Sequence, residues 1–142
     1  MSLEWSDKLS VNVDLIDGQH KQLVEKINKF HNALIENRGK MYVRETLKFL
    51  KDYTVFHFST EEELMEKYDY PDKDTEYQKK QHSNFVNTID KLEEQFKKEG
   101  ATENFMISVQ RFILDWIILH ISNIDKKLGA FLLEKDEFKK QN

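Results

Sequence analysis

The sequence predicts an all-α protein: an up-down-up-down antiparallel four-helix bundle with an irregular N-terminal arm. Three observations carry that expectation. Helix breakers are few, with one proline and four glycines in 142 residues. Gly39, Pro71 and Gly100 stand about 30 residues apart and cut the chain into long segments rich in Lys, Glu, Leu and Gln, all good helix formers. Within each segment apolar residues recur at 3–4 spacing, the pattern of a helix with one buried face.

The arm comes first. Residues 1–16 alternate in apolar character through Leu3, Trp5, Leu9, Val11 and Val13, which suits an irregular segment packed on the bundle. Segment A is expected at about 18–38, with Asp17 as N-cap and Leu23, Val24, Ile27, Phe30 and Leu34 inward. Segment B is expected at about 41–67, with Val43, Leu47, Leu50, Thr54 and Leu64 on one stripe. Segment C, at about 74–98, carries Phe85, Ile89, Leu92 and Phe96. Segment D opens after Thr102, its expected N-cap, and runs to about 134. Its stripe is Phe105, Val109, Phe112, Trp116, Ile117, Ile121, Ile124 and Leu128. Short links between long helices make neighbours antiparallel. There is no internal repeat, and residues 1–142 read as one domain.

Composition removes several function classes. Lys plus Arg is 22 and Asp plus Glu is 26, a net charge of −4 that disfavours nucleic acid or an anionic membrane as partner. Without cysteine there is no disulfide framework, thiolate metal site or thiol nucleophile. No apolar run is expected to reach the ~18 residues of a membrane span, and residues 1–14 lack the apolar core of a signal peptide. A cytoplasmic protein is expected, and a monomer, since no oversized exposed apolar face shows in the pattern.

The apolar stripes also carry polar residues. Segment A has His20 in register with Leu23, Val24 and Ile27. Segment B has His57 and Glu61 one turn apart, segment C has His82 with Gln78 one turn earlier, and segment D has His120 and Asp125. Burying an unpaired ionised group costs several kcal/mol, so such a core needs a reason. In an up-down bundle the start of A, the end of B, the start of C and the end of D share one end. At ~1.5 Å rise per residue these groups all fall in the same half of the bundle. Imidazoles and carboxylates from four helices meeting at one depth form the ligand set of a borderline transition metal such as iron, manganese or zinc. Two carboxylates suffice to bridge a metal pair. His120 and Asp125 are five apart, about 140° around an ideal helix, which a wide site or a π-bulge would accommodate. His31 also faces inward by periodicity, but lies ~16 Å beyond His20 along the axis and is expected to be core or to hydrogen-bond at the helix end. Leu23, Ile27, Phe58, Trp116, Ile117 and Ile121 would line the same region as an apolar pocket suited to a small apolar molecule. In Glu61-Glu62-Glu63 only Glu61 is expected to point inward, with Glu62 and Glu63 solvated.

These residues resemble the bacterial hemerythrins over essentially the whole chain. The matching pieces are the N-terminal tryptophan arm, Asp17-Gly18-Gln19-His20-Lys21 followed by Leu23 and Asn28, and His57-Phe58-Ser59-Thr60-Glu61-Glu62 with Met65. Tyr70-Pro71, His82 followed by Phe85, and Trp116-x-x-x-His120-Ile121-x-x-x-Asp125 complete the set. The resemblance implies a four-helix bundle holding two iron ions in a non-haem diiron-oxo centre that binds O2 reversibly. It implies His20 and His57 on one iron, His82 and His120 on the other, and Glu61 and Asp125 as bridges. There is one departure: where the family usually has a histidine four residues before the position matched by His82, this chain has Gln78. A coordinating Gln78 oxygen or a water would then fill the extra position.

The leading expectation is an oxygen-binding protein: carrier, store or sensor, with O2 or another small diatomic or anionic ligand as its partner. A carrier or store is favoured over a sensor, because no output domain is attached. One alternative is a diiron enzyme acting on peroxide, nitric oxide or O2 through a site opened at Gln78. The other is a metal-storage or structural bundle with no redox role.

Overall fold

The computed structural model describes residues 3–141, without the side chain of Gln141. Helices α1 (Asp14–Ile35), α2 (Gly39–Lys67) and α3 (Asp72–Glu99) are followed by one continuous run made of α4 (Glu103–Leu119), a π-helical turn (His120–Asp125) and α5 (Lys126–Leu133). Links at 36–38, 68–71 and 100–102 turn the chain back each time. Both α1 and α3 pack on α2 and on α4, which closes the ring of an antiparallel four-helix bundle.

The arm is anchored through α1. That helix starts four residues earlier than expected, and Asp17 is not its N-cap. Val13 holds that position with no side-chain cap bond. Asp17 lies in the first turn, where a negative charge suits the helix dipole. Its carboxylate accepts from the Val11 N–H at 2.8 Å and the Ser10 hydroxyl at 2.6 Å, so its capacity is spent on the arm and not on the helix. Leu9, Val11 and Val13 are buried, as the alternation implied. Further out, the Asn28 amide accepts from the Leu3 N–H and donates to the Leu3 carbonyl.

At the first two links the turns use residues other than those expected. Asn37 (φ 59°) and Asp69 (φ 58°) take left-handed conformations at the first two links, and Gly100 (φ 76°) at the third. Gly39 is the buried first residue of α2, and what matters there is space. A Cβ would stand 2.6 Å from Leu34 Cδ2 and 2.9 Å from Met106 Sδ. At α4, Thr102 is the N-cap: its side chain accepts from the Phe105 N–H.

Large side chains from all four helices form the core, including Phe30, Leu47, Leu50, Phe85, Phe105 and Ile113. Each contributes roughly 1.5–3 kcal/mol by burial. In α2 the inward place expected for Leu64 belongs to Met65, which lies three full turns after Thr54. Phe112, Trp116 and Ile124 are half-buried and mark the edge of the last stripe. Helix α6 (Asp136–Gln141) is too short for a 3.6-residue pattern to reveal it, and its Phe138 is buried edge-on against Tyr68, ring centroids 5.4 Å apart.

The expectation about span length needs correcting. The run Glu103–Leu133 is long and apolar enough, by length and composition alone, to cross a membrane. Joining α4, the π turn and α5 into one rod creates that length. The same run places Phe105, Val109, Ile113, Ile117 and Ile121 in the core.

Candidate metal centre

Each of the four main helices sends polar side chains to one point. His20 comes from α1, His57 and Glu61 from α2, Gln78 and His82 from α3, and His120 and Asp125 from the two ends of the π turn. All seven are at most 3 % exposed. The π turn resolves the five-residue spacing. Its hydrogen bonds run i→i+5, so residues five apart stack, and Asp125 Oδ1 comes within 3.1 Å of His120 Nε2.

The donor atoms form two groups that share Glu61. His20, His57, Glu61 and Asp125 make one, and Glu61, His82 and His120 the other. Glu61 Oε1 lies 3.5 Å from His57 Nε2 and 3.2 Å from His82 Nε2, while Oε2 is 3.8 Å from His20 Nε2. Asp125 reaches both sides as well, with Oδ2 3.1 Å from His20 Nε2. Both carboxylates therefore lie between histidines of the two groups.

These atoms fit a metal because nothing else satisfies them. Among the described residues, His20 Nε2, His82 Nε2, His120 Nε2, both Glu61 oxygens and Asp125 Oδ2 are buried without a hydrogen-bond partner. Each such orphan costs about 1–3 kcal/mol in a folded protein. Orphans converging from four helices, with imidazole and carboxylate donors at ligand spacing, make a site for cations of the borderline class.

A second set of contacts orients the rings. His57 Nδ1 is 2.6 Å from Gln19 Oε1, and His82 Nδ1 is 2.9 Å from Glu62 Oε2. Both oxygens can only accept, so each Nδ1 carries the hydrogen and each Nε2 keeps its lone pair for the centre. Gln19 is held in turn: its Nε2 donates to Thr60 Oγ1, and the Thr60 hydroxyl donates to the Phe56 carbonyl. Glu62 is thus not simply a solvated charge. It is half-buried on His82, whereas Glu63 is exposed. Gln19 and Glu62 were missed as site residues. Their signals were adjacency to His20 and Glu61 in the chain and a place inside the motifs of the resemblance, neither of which says that they touch a ring.

Protonation follows from burial. Desolvation, aided by the neighbouring His20 ring, holds the His57 imidazole well below its usual pKa. Desolvation also lowers His82, to about 4, against the opposing pull of Glu62. Both rings are therefore neutral at pH 7, as metal binding requires. Burial and the neighbouring Asp125 push Glu61 well above the carboxylate range. Burial pushes Asp125 up too, but the His120 and His20 rings outweigh it and hold it well below that range.

The surroundings are apolar and aromatic. Leu23, Ile27, Phe58, Ile117 and Ile121 are buried, and Trp116 is half-buried. Phe58 stacks on His82 with centroids 4.0 Å apart, and Trp116 on His120 at 4.2 Å. Phe58 and His82 also line a groove of about 260 Å³ between α2 and α3, together with Ser59, Glu62 and Ser83. Gln78 stands at the centre, where its Nε2 donates to Asp125 Oδ1 at 3.0 Å and its Oε1 has no partner. His31 belongs to neither donor group. It is half-exposed, which excludes the core alternative, in a groove of about 950 Å³ with Leu34, Met106 and Gln110 between α1 and α4.

Known proteins resemble this chain. A bacteriohemerythrin of Pseudomonas aeruginosa is 34% identical over 125 residues, covering 87% of this chain and 76% of that protein. One from Methylococcus capsulatus is 33% identical over 126 residues, covering 88% and 92%. A crystal structure of wild-type hemerythrin superimposes with a TM-score of 0.77 at 28% identity, covering 92% of this chain and 97% of that one. The model of the hemerythrin HHE cation binding domain matches residues 11–132, and the chain belongs to that family.

Proposed function

We propose that this protein holds two iron ions and binds O2 reversibly, as a carrier, store or sensor. The observation that carries the reading is the placement of Glu61 and Asp125. Each approaches histidines on both sides of the centre within 3.8 Å, as carboxylates spanning a metal pair would. His20 and His57 would hold one ion and His82 and His120 the other. A ferrous pair held there would supply the reversible redox chemistry that O2 binding needs. Glu61 and Asp125 would offer it negative charge from both sides of the centre. Gln19 and Glu62 keep Nε2 of His57 and His82 free of hydrogen. Phe58, Ile117, Ile121 and the stacked Trp116 shield the site from bulk water, which opposes hydrolytic loss of a bound ligand.

The test is anaerobic loading with ferrous iron, admission of O2, and its removal under argon. A visible charge-transfer band that appears and then disappears supports the reading. A second reading draws on Gln78, because an amide in place of an imidazole leaves the centre with fewer strong donors. On that reading the protein is an enzyme acting on O2, peroxide or nitric oxide. A band that decays irreversibly to ferric iron while peroxide is consumed would favour it.

A further inference from the structure

Asp125 offers its two oxygens to opposite sides of the centre, and they are not equivalent. Oδ2 faces His20 and has no hydrogen-bond partner. Oδ1 faces His120, and there the Gln78 amide already donates to it at 3.0 Å. The donor groups differ accordingly. The side containing His20 and His57 collects four residues with Asp125, while the side containing His82 and His120 collects three without it. Gln78 itself is 1 % exposed, comes from the helix that supplies His82, and is neutral.

We propose that Gln78 is a positioning residue that makes the two metal positions unequal. Its Nε2 occupies a lone pair of Asp125 Oδ1 and leaves Oδ2 as the stronger donor, directed to the position beside His20 and His57. The position beside His82 and His120 is left with two imidazoles, Glu61 and a partly engaged carboxylate oxygen. A neutral amide oxygen adds little donor strength for a borderline metal compared with imidazole. The protein therefore fills its positions in order: one ion binds tightly beside His20 and His57, and a second binds more weakly beside His82 and His120. The protein then exists in a one-metal form over a range of metal concentration, and its second position can take a different divalent ion from its first. This rests on the proposed two-metal site, and the experiment separates the two claims.

The experiment is an anaerobic titration of metal-free protein with Co2+, whose visible absorption reports ligand number, alongside calorimetry. Wild type, Gln78→His and Gln78→Leu are compared. In wild type the second ion should bind at least ~10-fold more weakly than the first, the lower end of what outer contacts to ligands are worth. Gln78→His should strengthen the second step and narrow the gap. Gln78→Leu should narrow it from both sides, since Oδ1 is released to the second ion while Asp125 loses its brace for the first. A residue that merely packs the core would weaken both steps in parallel with the melting temperature. That result, or equal affinities in wild type, would overturn the assignment to Gln78 while leaving the two-metal site intact. Failure of wild type to bind any Co2+ would overturn both.

Discussion

Gln19 Oε1 lies 2.6 Å from Nδ1 of His57, and this contact decides which nitrogen His57 can offer. The two residues come from facing helices, 38 positions apart in the chain. Because the amide oxygen can only accept, the ring must carry its hydrogen on Nδ1 and present Nε2 to Glu61. Glu62 does the same for His82 from the helix that carries Glu61.

Loss of either orienting contact should weaken the centre without disturbing the bundle. Gln19→Leu and Glu62→Leu should each cost about 10–100-fold in metal affinity, with helical circular dichroism unchanged. Competition against a chromophoric chelator measures it. Affinities matching wild type would mean that the rings hold their orientation by packing alone.

The pH dependence of the metal-free protein should carry the mark of His82. Its folded pKa of about 4 lies below the usual 6.5, so between those values the unfolded chain binds more protons than the folded one. The stability tied to a neutral His82 is present in full above pH 6.5 and lost as the pH falls towards 4, to the extent of roughly 3 kcal/mol. Glu61, raised in the folded state, acts in the opposite sense: its burial costs stability as the pH rises above the usual carboxylate range. Comparing wild type with His82→Gln isolates the histidine, since Glu61 is common to both. In urea unfolding the advantage of wild type should shrink by roughly that amount between pH 7 and pH 4. A constant difference would contradict a neutral buried ring.

Two glycines in helices should respond in opposite directions to alanine. A Cβ on Gly129 would overlap the Val11 carbonyl oxygen and stand 3.0 Å from Val11 Cβ, so Gly129→Ala must shift Val11 of the arm against α5. A loss of about 1–3 kcal/mol is expected. At Gly18 nothing among the described residues would lie within 4 Å of a Cβ, and Gly18→Ala should gain about 0.5–1 kcal/mol from helix propensity. Thermal melts of the two variants check both signs.

The fold was legible because long helices announce themselves through sparse breakers and a sustained 3.6-residue period. The positions of His20, His57, Glu61, Gln78, His82, His120 and Asp125 followed from that period, since phase and depth together define a point on the bundle axis. What could not be read depends on how a neighbouring helix is rotated. Gln19 and Glu62 sit on helix flanks, where a few tens of degrees separate a solvated side chain from one bound to a facing ring. His31 has the phase of a core residue, but phase does not say whether a neighbour closes over it, and the groove between α1 and α4 stays open there. Asp17 has the residue type of an N-cap, yet its carboxylate bonds backward to Val11 and Ser10, which no local pattern reveals. The spacing of His120 and Asp125 allowed a π turn or a wide site, and only the packed helix distinguishes them.

The most direct measurement of the central claim is iron per chain with its magnetic state, in wild type, Glu61→Ala and His31→Ala reconstituted identically. Glu61 is shared by both donor groups, and His31 belongs to neither. Wild type and His31→Ala should hold two irons per chain, and partial reduction should give the electron paramagnetic resonance signal of a coupled mixed-valence pair. Glu61→Ala should lose that signal and bind at most one iron per chain. Isolated, uncoupled iron in wild type, or equal losses in the two variants, would contradict a carboxylate-bridged pair at this site.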